Sequence, residues 1–288
     1  MSALFQRAGV VGGGIMGAGI AEVCARSGLD VVLVETDSAR ADAARERIGR
    51  SLDKAVTRGK IEAADAEAAL DRLLTTADMT ALADREIVVE AVVEDKATKL
   101  DVFRRLAEVI AGEDAVLASN TSSIPIVELA TATNGRASHV LGLHFFNPVP
   151  VLKLVEIIPS LLTAPTTVER VIALATEQLG KDPITAPDRA GFTVNALLIP
   201  YLLSAIRMLE HGMATAEDID KGMVEGCAHP MGPLALADLI GLETVMGIAE
   251  TLHAEHREPL FAPPPLLQRL VAAGLLGRKT GRGLYSYN

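Results

Sequence analysis

The stretch AGVVGGGIMGAGIAEVCARSGLDVVLVETD, residues 8 to 37, constrains the fold more than any other. It runs from a short apolar segment through a glycine turn into an amphipathic helical pattern, then into a second apolar segment, DVVLVE, that closes on an acid. Two such segments joined by a helix form a βαβ unit, which places the chain in the α/β class with a doubly wound, mostly parallel sheet. Gly12, Gly14 and Gly17 have the GxGxxG spacing, with Ile15 and Met16 inside the turn. Gly12 and Gly14 permit a tight turn and close approach of backbone to a pyrophosphate at the helix N-terminus, and Gly17 lets helix and strand touch. Glu35 lies 18 residues beyond Gly17. A carboxylate there accepts hydrogen bonds from both adenosine ribose hydroxyls and repels a 2′-phosphate, so NAD is expected over NADP, against the nearby cations Arg40 and Arg45. The plainer alternative is a glycine turn without a ligand.

With 288 residues and 49% hydrophobic content, the chain can build one large core or two moderate ones. The longest apolar run, FTVNALLIPYLLSAI, is interrupted by Asn195, Pro200 and Ser204 and falls short of the roughly 20 residues of a membrane span, so it reads as a buried helix. No secretory signal pattern is evident in MSALFQRAGVV, and a cytoplasmic location without membrane attachment is expected. Cys24 and Cys227 lack metal-ligand spacing and are expected to be reduced structural thiols; no metal is expected. A formal net charge of −10 argues against nucleic acid as a partner.

The pattern over residues 38 to 75 is helical, and it aligns Arg47, Arg50, Lys54 and Arg58 along one face. Such a stripe is either a solvated surface or an anion site suited to a phosphorylated carrier. REIVVEAVVED, residues 85 to 95, reads as a buried strand that ends in Glu94 and Asp95 and leads into a helix carrying Lys99. That puts Glu94 and Lys99 at a strand's C-terminal end, where doubly wound sheets bind ligands. After the strand AVLAS, one of Ser122 and Ser123 is expected to cap the next helix, with Pro125 in its first turn, leaving Ser122 free for a substrate oxygen. HVLGLHFF and VLKLVEII read as strands joined by the turn NPVP. A simple hairpin sets residue 144 opposite about 153 and leaves Glu156 offset by roughly 10 Å, so this reading does not pair it with His144. A lone histidine on an apolar strand is either a satisfied core residue or a base. A buried glutamate needs a partner in either case. The sheet-like part ends near TAPDRAG, giving expected domains of 1–188 and 189–288. In the second, helices are expected over 191–210 with a kink or break at Pro200, then over 216–227 capped by Thr215, 233–251 and 263–273.

The motifs VGGGIMGAGIA, NTSSIP, GLHFFNPVPVLKLVE, GFTVN, HPMGPL and GRKTGRGLYSY, in this order over residues 8 to 287, resemble the 3-hydroxyacyl-CoA dehydrogenase family, and within it the short, single-function 3-hydroxybutyryl-CoA dehydrogenases of actinobacterial type. The resemblance implies a Rossmann-type sheet followed by a smaller all-helical C-terminal domain, and reversible NAD-dependent oxidation of an (S)-3-hydroxyacyl-CoA. It matches His144 to the catalytic histidine, Glu156 to its carboxylate partner, and Ser122 and Asn195 to polar residues around the substrate carbonyl. Glu35, Glu94, Lys99, Asn147 and Lys279 match cofactor contacts, and Ser51 a coenzyme A contact. Lys54 and Arg58 extend that substrate surface, Arg58 standing where the family usually has lysine. A homodimer is also implied. Arg189, Ala190 and Ala196 depart from the usual pattern and bear on acyl preference. The alternatives are a related dehydrogenase of a non-CoA substrate, such as L-gulonate or a carrier-bound acyl group, and a non-catalytic NAD-binding protein.

Overall fold

The computed structural model describes residues 5–287. The expectation drawn from the N-terminus therefore falls partly, at residues 1–4, outside the described residues. The chain divides into two compact units, Met1–Asp188 and Arg189–Asn288.

The first unit is an eight-stranded sheet among the described residues, in the order β3-β2-β1-β4-β5-β6-β7-β8. Its first half comprises β1 (Arg7–Val11), α1 (Ile15–Arg26), β2 (Asp30–Val34), α2 (Ser38–Thr57), α3 (Ala63–Asp71) and β3 (Leu73–Thr76). Its second half comprises β4 (Ile87–Glu90), α4 (Lys96–Val109), β5 (Val116–Ser119), α5 (Ile126–Thr131), β6 (Val140–Phe145), β7 (Leu154–Pro159), α6 (Pro165–Ala173) and β8 (Asp182–Thr185). Strands β1 to β6 are parallel, while β7 runs antiparallel to β6 and pairs in parallel with β8. Val10, Leu33, Val88, Val116 and Ala118 are fully buried, as the central strands of a sheet covered on both faces must be. Connections leave β1 toward β2 and β4 toward β5 in opposite directions along the sheet, so a crevice opens between the C-terminal ends of β1 and β4.

Several sequence expectations are corrected here. The helical reading of 38–75 overran: after Asp71 the chain turns into β3, an edge strand in register with β2 from Val31↔Leu73 to Val34↔Thr76. The Arg45 guanidinium secures that turn by donating to the carbonyls of Leu70 and Leu73. The strand read over 85–95 stops at Glu90, and Asp95 caps α4 by accepting from Thr98 N at 2.8 Å. Neither Ser122 nor Ser123 caps α5. Its Ile126 and Val127 N–H groups donate to the two carboxylate oxygens of Asp188, 62 residues away from Ile126, at 2.7 and 2.9 Å. A charged acceptor brought by tertiary structure thus replaces the local hydroxyl.

The second unit packs α7 (Val194–Glu210), α8 (Ala216–Cys227), α9 (Pro233–Ile240), α10 (Leu242–His256) and α11 (Pro265–Ala272) around Leu202, Ile206, Leu234, Val245, Leu252 and Leu267. Thr215 caps α8 as read, accepting from Asp218 N. Pro200 lies inside one continuous helix rather than between two. The helix read over 233–251 is instead broken at Gly241, whose φ of 101° no helix accommodates, and resumes to His256. Buried Asp238 accepts from Leu284 N, Tyr285 N and the Tyr287 hydroxyl, which fastens the C-terminal segment to α9. Cys24 is buried, and burial pushes its thiol up to about 12; Cys227 is exposed, and both are free thiols, as expected.

Candidate active site

The glycine turn leads directly into a cavity of about 510 Å³ at the crevice, lined by Gly12, Gly14, Glu35, Thr36, Arg40 and the 91–93 segment among others. Gly12 has φ 97°, and a Cβ there would come within 2.7 Å of the Ala91 carbonyl; one on Gly17 would sit 1.8 Å from the Gly12 carbonyl. Neither position admits a side chain. A Cβ on Gly14 would meet no protein atom within 4 Å, so the space over the α1 N-terminus is open to a ligand. Ile15 is exposed beside it, whereas Met16 packs against the core. The Glu35 carboxylate rims the cavity and accepts from Gly13 N at 2.7 Å and Thr36 N at 3.0 Å. Arg40 is drawn to Asp37, and Arg45 is engaged by the carbonyls before β3. An open helix N-terminus, backbone N–H groups and a carboxylate at the cavity rim fit a dinucleotide without a 2′-phosphate.

Behind the 91–93 wall lies a charged network that the sequence reading saw only in part. Glu90 is fully buried; its Oε1 accepts from Lys99 Nζ at 2.6 Å and from Val92 N at 2.7 Å, and its Oε2 from the Ser119 hydroxyl at 2.7 Å. Lys99, itself buried, also reaches Glu94 Oε2 at 3.2 Å. Glu94 Oε1 accepts from Ser122 N at 2.8 Å and from the hydroxyls of Thr121 and Ser123. Burial opposes ionisation of Glu94, yet the Lys99 ammonium and these hydrogen bonds outweigh it and hold its carboxyl below the ordinary carboxylate range. Glu94 and Lys99 were singled out from sequence. Glu90 was hidden by the overlong strand, although an acid inside the apolar run IVVE was its signal.

At the neighbouring strand ends, β6 and β7 place His144 directly opposite Glu156. This corrects the hairpin estimate. The connection is not the tight NPVP turn but the longer segment 146–153, which shifts the pairing by three residues. Lys181, buried before β8, fixes that segment by donating from Nζ to the carbonyls of Val149 and Leu152 at 2.5 and 2.7 Å; no sequence motif pointed to it. His144 Nδ1 lies 2.7 Å from Glu156 Oε2, and Glu156 is fully buried. A carboxylate oxygen accepts, so the contact between Nδ1 and Oε2 holds a proton on that side of the ring and directs Nε2 away from Glu156. Nε2 faces the Ser122 hydroxyl at 3.4 Å, and the Phe146 ring stands edge-on to the imidazole with 4.7 Å between centroids. Asn120 accepts from Phe145 N at 2.8 Å and ties the serine loop to β6.

The remaining residues fall elsewhere. Asn147 is exposed in the 146–153 segment. It lines a smaller cavity, about 140 Å³, with Ile15, Glu22, Arg47 and Ser51. On α2, Arg50, Lys54 and Arg58 are exposed, but Arg47 leaves the stripe to donate to the Gly13 carbonyl and Arg50 pairs with Glu46. Arg50, Lys54 and Arg58 of that stripe keep the outward face, Arg50 in a surface pair with Glu46. Asn195 and Lys279 belong to the second unit: Asn195 is buried in the first turn of α7, and Lys279 forms an ion pair with Glu243. There Arg189 Nε and Ala190 N both donate to Glu255, at 2.7 and 2.9 Å.

Comparison with known proteins agrees with this geometry. Residues 7–189 match the 3-hydroxyacyl-CoA dehydrogenase NAD-binding domain and residues 191–287 the C-terminal domain of the same family. The chain is similar to the 3-hydroxybutyryl-CoA dehydrogenase of Mycobacterium tuberculosis, with 53% identity over 287 residues and 100% of both chains covered. Human mitochondrial hydroxyacyl-coenzyme A dehydrogenase is 42% identical, with 96% of this chain and 90% of that protein covered. Among solved structures, M. tuberculosis FadB2 superposes with a TM-score of 0.97 at 53% identity, covering 99% of this chain and 100% of that one. The (S)-3-hydroxybutyryl-CoA dehydrogenase PaaH1 of Ralstonia eutropha gives 0.94 at 44% identity, with 99% of each chain covered.

Proposed function

The chain belongs to the 3-hydroxyacyl-CoA dehydrogenase family, and from that premise we infer that it is an NAD-dependent dehydrogenase interconverting 3-hydroxyacyl-CoA and 3-oxoacyl-CoA. The observation that carries the chemistry is the cross-strand pair His144–Glu156 with the Ser122 hydroxyl facing Nε2.

Bound NAD supplies the hydride acceptor. Oxidation at C3 breaks its C–H bond, with the electron pair leaving as hydride, while the hydroxyl proton goes to a base and the C=O bond forms. His144 Nε2 is that base. As the imidazolium forms, Glu156 holds the Nδ1 proton and offsets the new charge, so one group serves both directions. The Ser122 hydroxyl hydrogen-bonds the substrate oxygen and orients C3, and Asn195 is assigned the second such bond on family likeness. Gly12, Gly14, Ile15, Met16 and Gly17 form the pyrophosphate turn and Glu35 takes the adenosine ribose. Glu94, Lys99, Ser122, Asn147 and Lys279 are assigned to the nicotinamide half. Ser51, Lys54 and Arg58 are assigned to the phosphates of coenzyme A. A short acyl group such as 3-hydroxybutyryl, the S configuration, a homodimer and a cytoplasmic location complete the proposal; the relatives named above support the first two.

The test is acetoacetyl-CoA reduction by the purified protein with NADH and NADPH in parallel. NADH-selective turnover is expected. Bound NADH without turnover would redirect the search to sugar acids or carrier-bound acyl groups. The Lys54→Ala/Arg58→Ala variant separates those cases: a raised KM for the thioester is expected, and an unchanged one would favour a substrate without coenzyme A.

A further inference from the structure

Glu90 does not touch the proposed base and meets the cavity lining only at Val92 N, yet two further chains of contacts run from its carboxylate to the loop that carries Ser122. One passes from Oε1 through Lys99 Nζ to Glu94, whose Oε1 accepts from Ser122 N. The other passes from Oε2 through the Ser119 hydroxyl, which accepts from Thr121 N at 3.2 Å. Ser122 in turn reaches His144. The group is also unbalanced: one ammonium faces two carboxylates, leaving one formal negative charge at the C-terminal end of β4. Glu94 staying ionised there agrees with that count. A hydride can reach its acceptor only if the nicotinamide ring lies beside C3, and hence beside His144 and Ser122. The excess charge therefore stands on the side of the site where the cofactor changes charge, since the oxidised ring is cationic and the reduced ring neutral.

We propose that Glu90 is a positioning residue that holds Lys99 and the Ser122 loop in place and supplies the negative charge by which the site favours oxidised over reduced cofactor. The proposal rests on the dehydrogenase reading above. Glu90 acts through its neighbours, and its charge acts at a distance through a buried, poorly screened medium.

The experiment is direct binding of NAD and of NADH to the purified protein, by titration calorimetry or fluorescence, for wild type, Glu90→Gln and Glu90→Asp. Glu90→Gln keeps the shape and an acceptor for Ser119 but removes the charge. It should weaken NAD relative to NADH on the order of fivefold, the ratio that about 1 kcal/mol of lost charge interaction gives. Glu90→Asp keeps the charge and shortens the reach, so it should leave the binding ratio at the wild-type value while lowering kcat without raising KM for the thioester. Equal weakening of both cofactors by Glu90→Gln, or no change in either, would overturn the proposal and leave Glu90 a structural residue. If Glu90→Gln does not fold, an altered ratio in Glu90→Asp overturns it instead. Failure of the wild type to bind either cofactor would sink the dehydrogenase reading itself, a result distinct from all of these.

Discussion

The cavity beside the glycine turn and the His144–Glu156 pair lie in one sheet but are built in different ways. The cavity at the ends of β1 and β2 takes its glycine turn and its acid from residues 8–37, with the 91–93 segment completing the wall, and its geometry resides mostly in backbone: a positive φ at Gly12, a contact at Gly17 too close for any Cβ, an open helix N-terminus and one acid at the next strand end. The pair is held by side chains on two strands whose register depends on a distant segment, with Lys181 clamping the connection from before β8. Backbone sites tolerate changes in their surroundings and fail abruptly when a glycine gains a side chain. Register sites depend on remote anchors and should fail by degrees. Parallel strands also cannot be joined by a tight turn, so the cavity half needs α1 as its crossover, whereas the antiparallel pair can sit on adjacent strands.

The largest expected effect is on the pair. His144→Asn should lower kcat by about 10³-fold, within the range for loss of a general base, while NADH affinity stays within about twofold. Stopped-flow turnover with parallel NADH titration checks both; wild-type activity in this variant would remove the base from the scheme. Gly17→Ala should do the reverse. The added Cβ must push the Gly12 carbonyl away, so NADH affinity should fall at least roughly tenfold, beyond the about 1.4 kcal/mol that marks each decade, with circular dichroism still showing a folded sheet. Retained affinity would mean that the turn can relax, which would blunt the contrast between the two sites.

Lys181→Met tests the remote anchor. The buried Val149 carbonyl loses its donor, at about 1–3 kcal/mol, and the part-buried Leu152 carbonyl loses one at smaller cost, while the burial that lowers the Lys181 pKa is relieved, so urea denaturation should show a net loss of about 2 kcal/mol. kcat should fall with it if the register argument holds. An intact kcat in a destabilised protein would show that β6 and β7 hold their pairing without the clamp.

The smallest effect concerns Glu22, buried on α1 beneath Ser51. Burial raises its carboxyl above the ordinary carboxylate range, although hydrogen bonding to Ser51 and the Arg26 charge pull the other way. In the folded state it keeps its proton to higher pH than in the unfolded state, so stability declines as pH rises from the ordinary carboxylate value through the raised one. Glu22→Gln removes that penalty. It should raise Tm by on the order of 2 °C at pH 8 and leave it unchanged at pH 4; the same rise at both pH values would show that charge is not the cause.

Much of this was readable in the chain. The βαβ unit, Glu35, the α4 helix, the Thr215 cap and the α/β to all-helical division follow from local pattern, because a glycine turn, a capping hydroxyl and an apolar period each act within a few residues. The short edge strand β3 was overrun because four residues with two threonines give too little periodicity to end a helical reading. Glu90 was absorbed into an overlong strand, and the break at Gly241 into an overlong helix, since an apolar pattern does not mark where an element stops.

The sequence by itself determined the glycine turn, the acid at the end of β2 and the class of fold, because each depends on backbone freedom and periodicity within one segment. Only the tertiary structure decided that His144 faces Glu156, that Asp188 rather than a serine caps α5, and that Glu90, Lys99 and Glu94 share one buried network. For the pair and the cap the partners lie 12 and 62 residues apart, so strand register and packing bring them together and no local pattern encodes the distance; Glu90 and Lys99 are only nine residues apart, but they come from a strand and a helix whose packing, not their spacing, makes them meet.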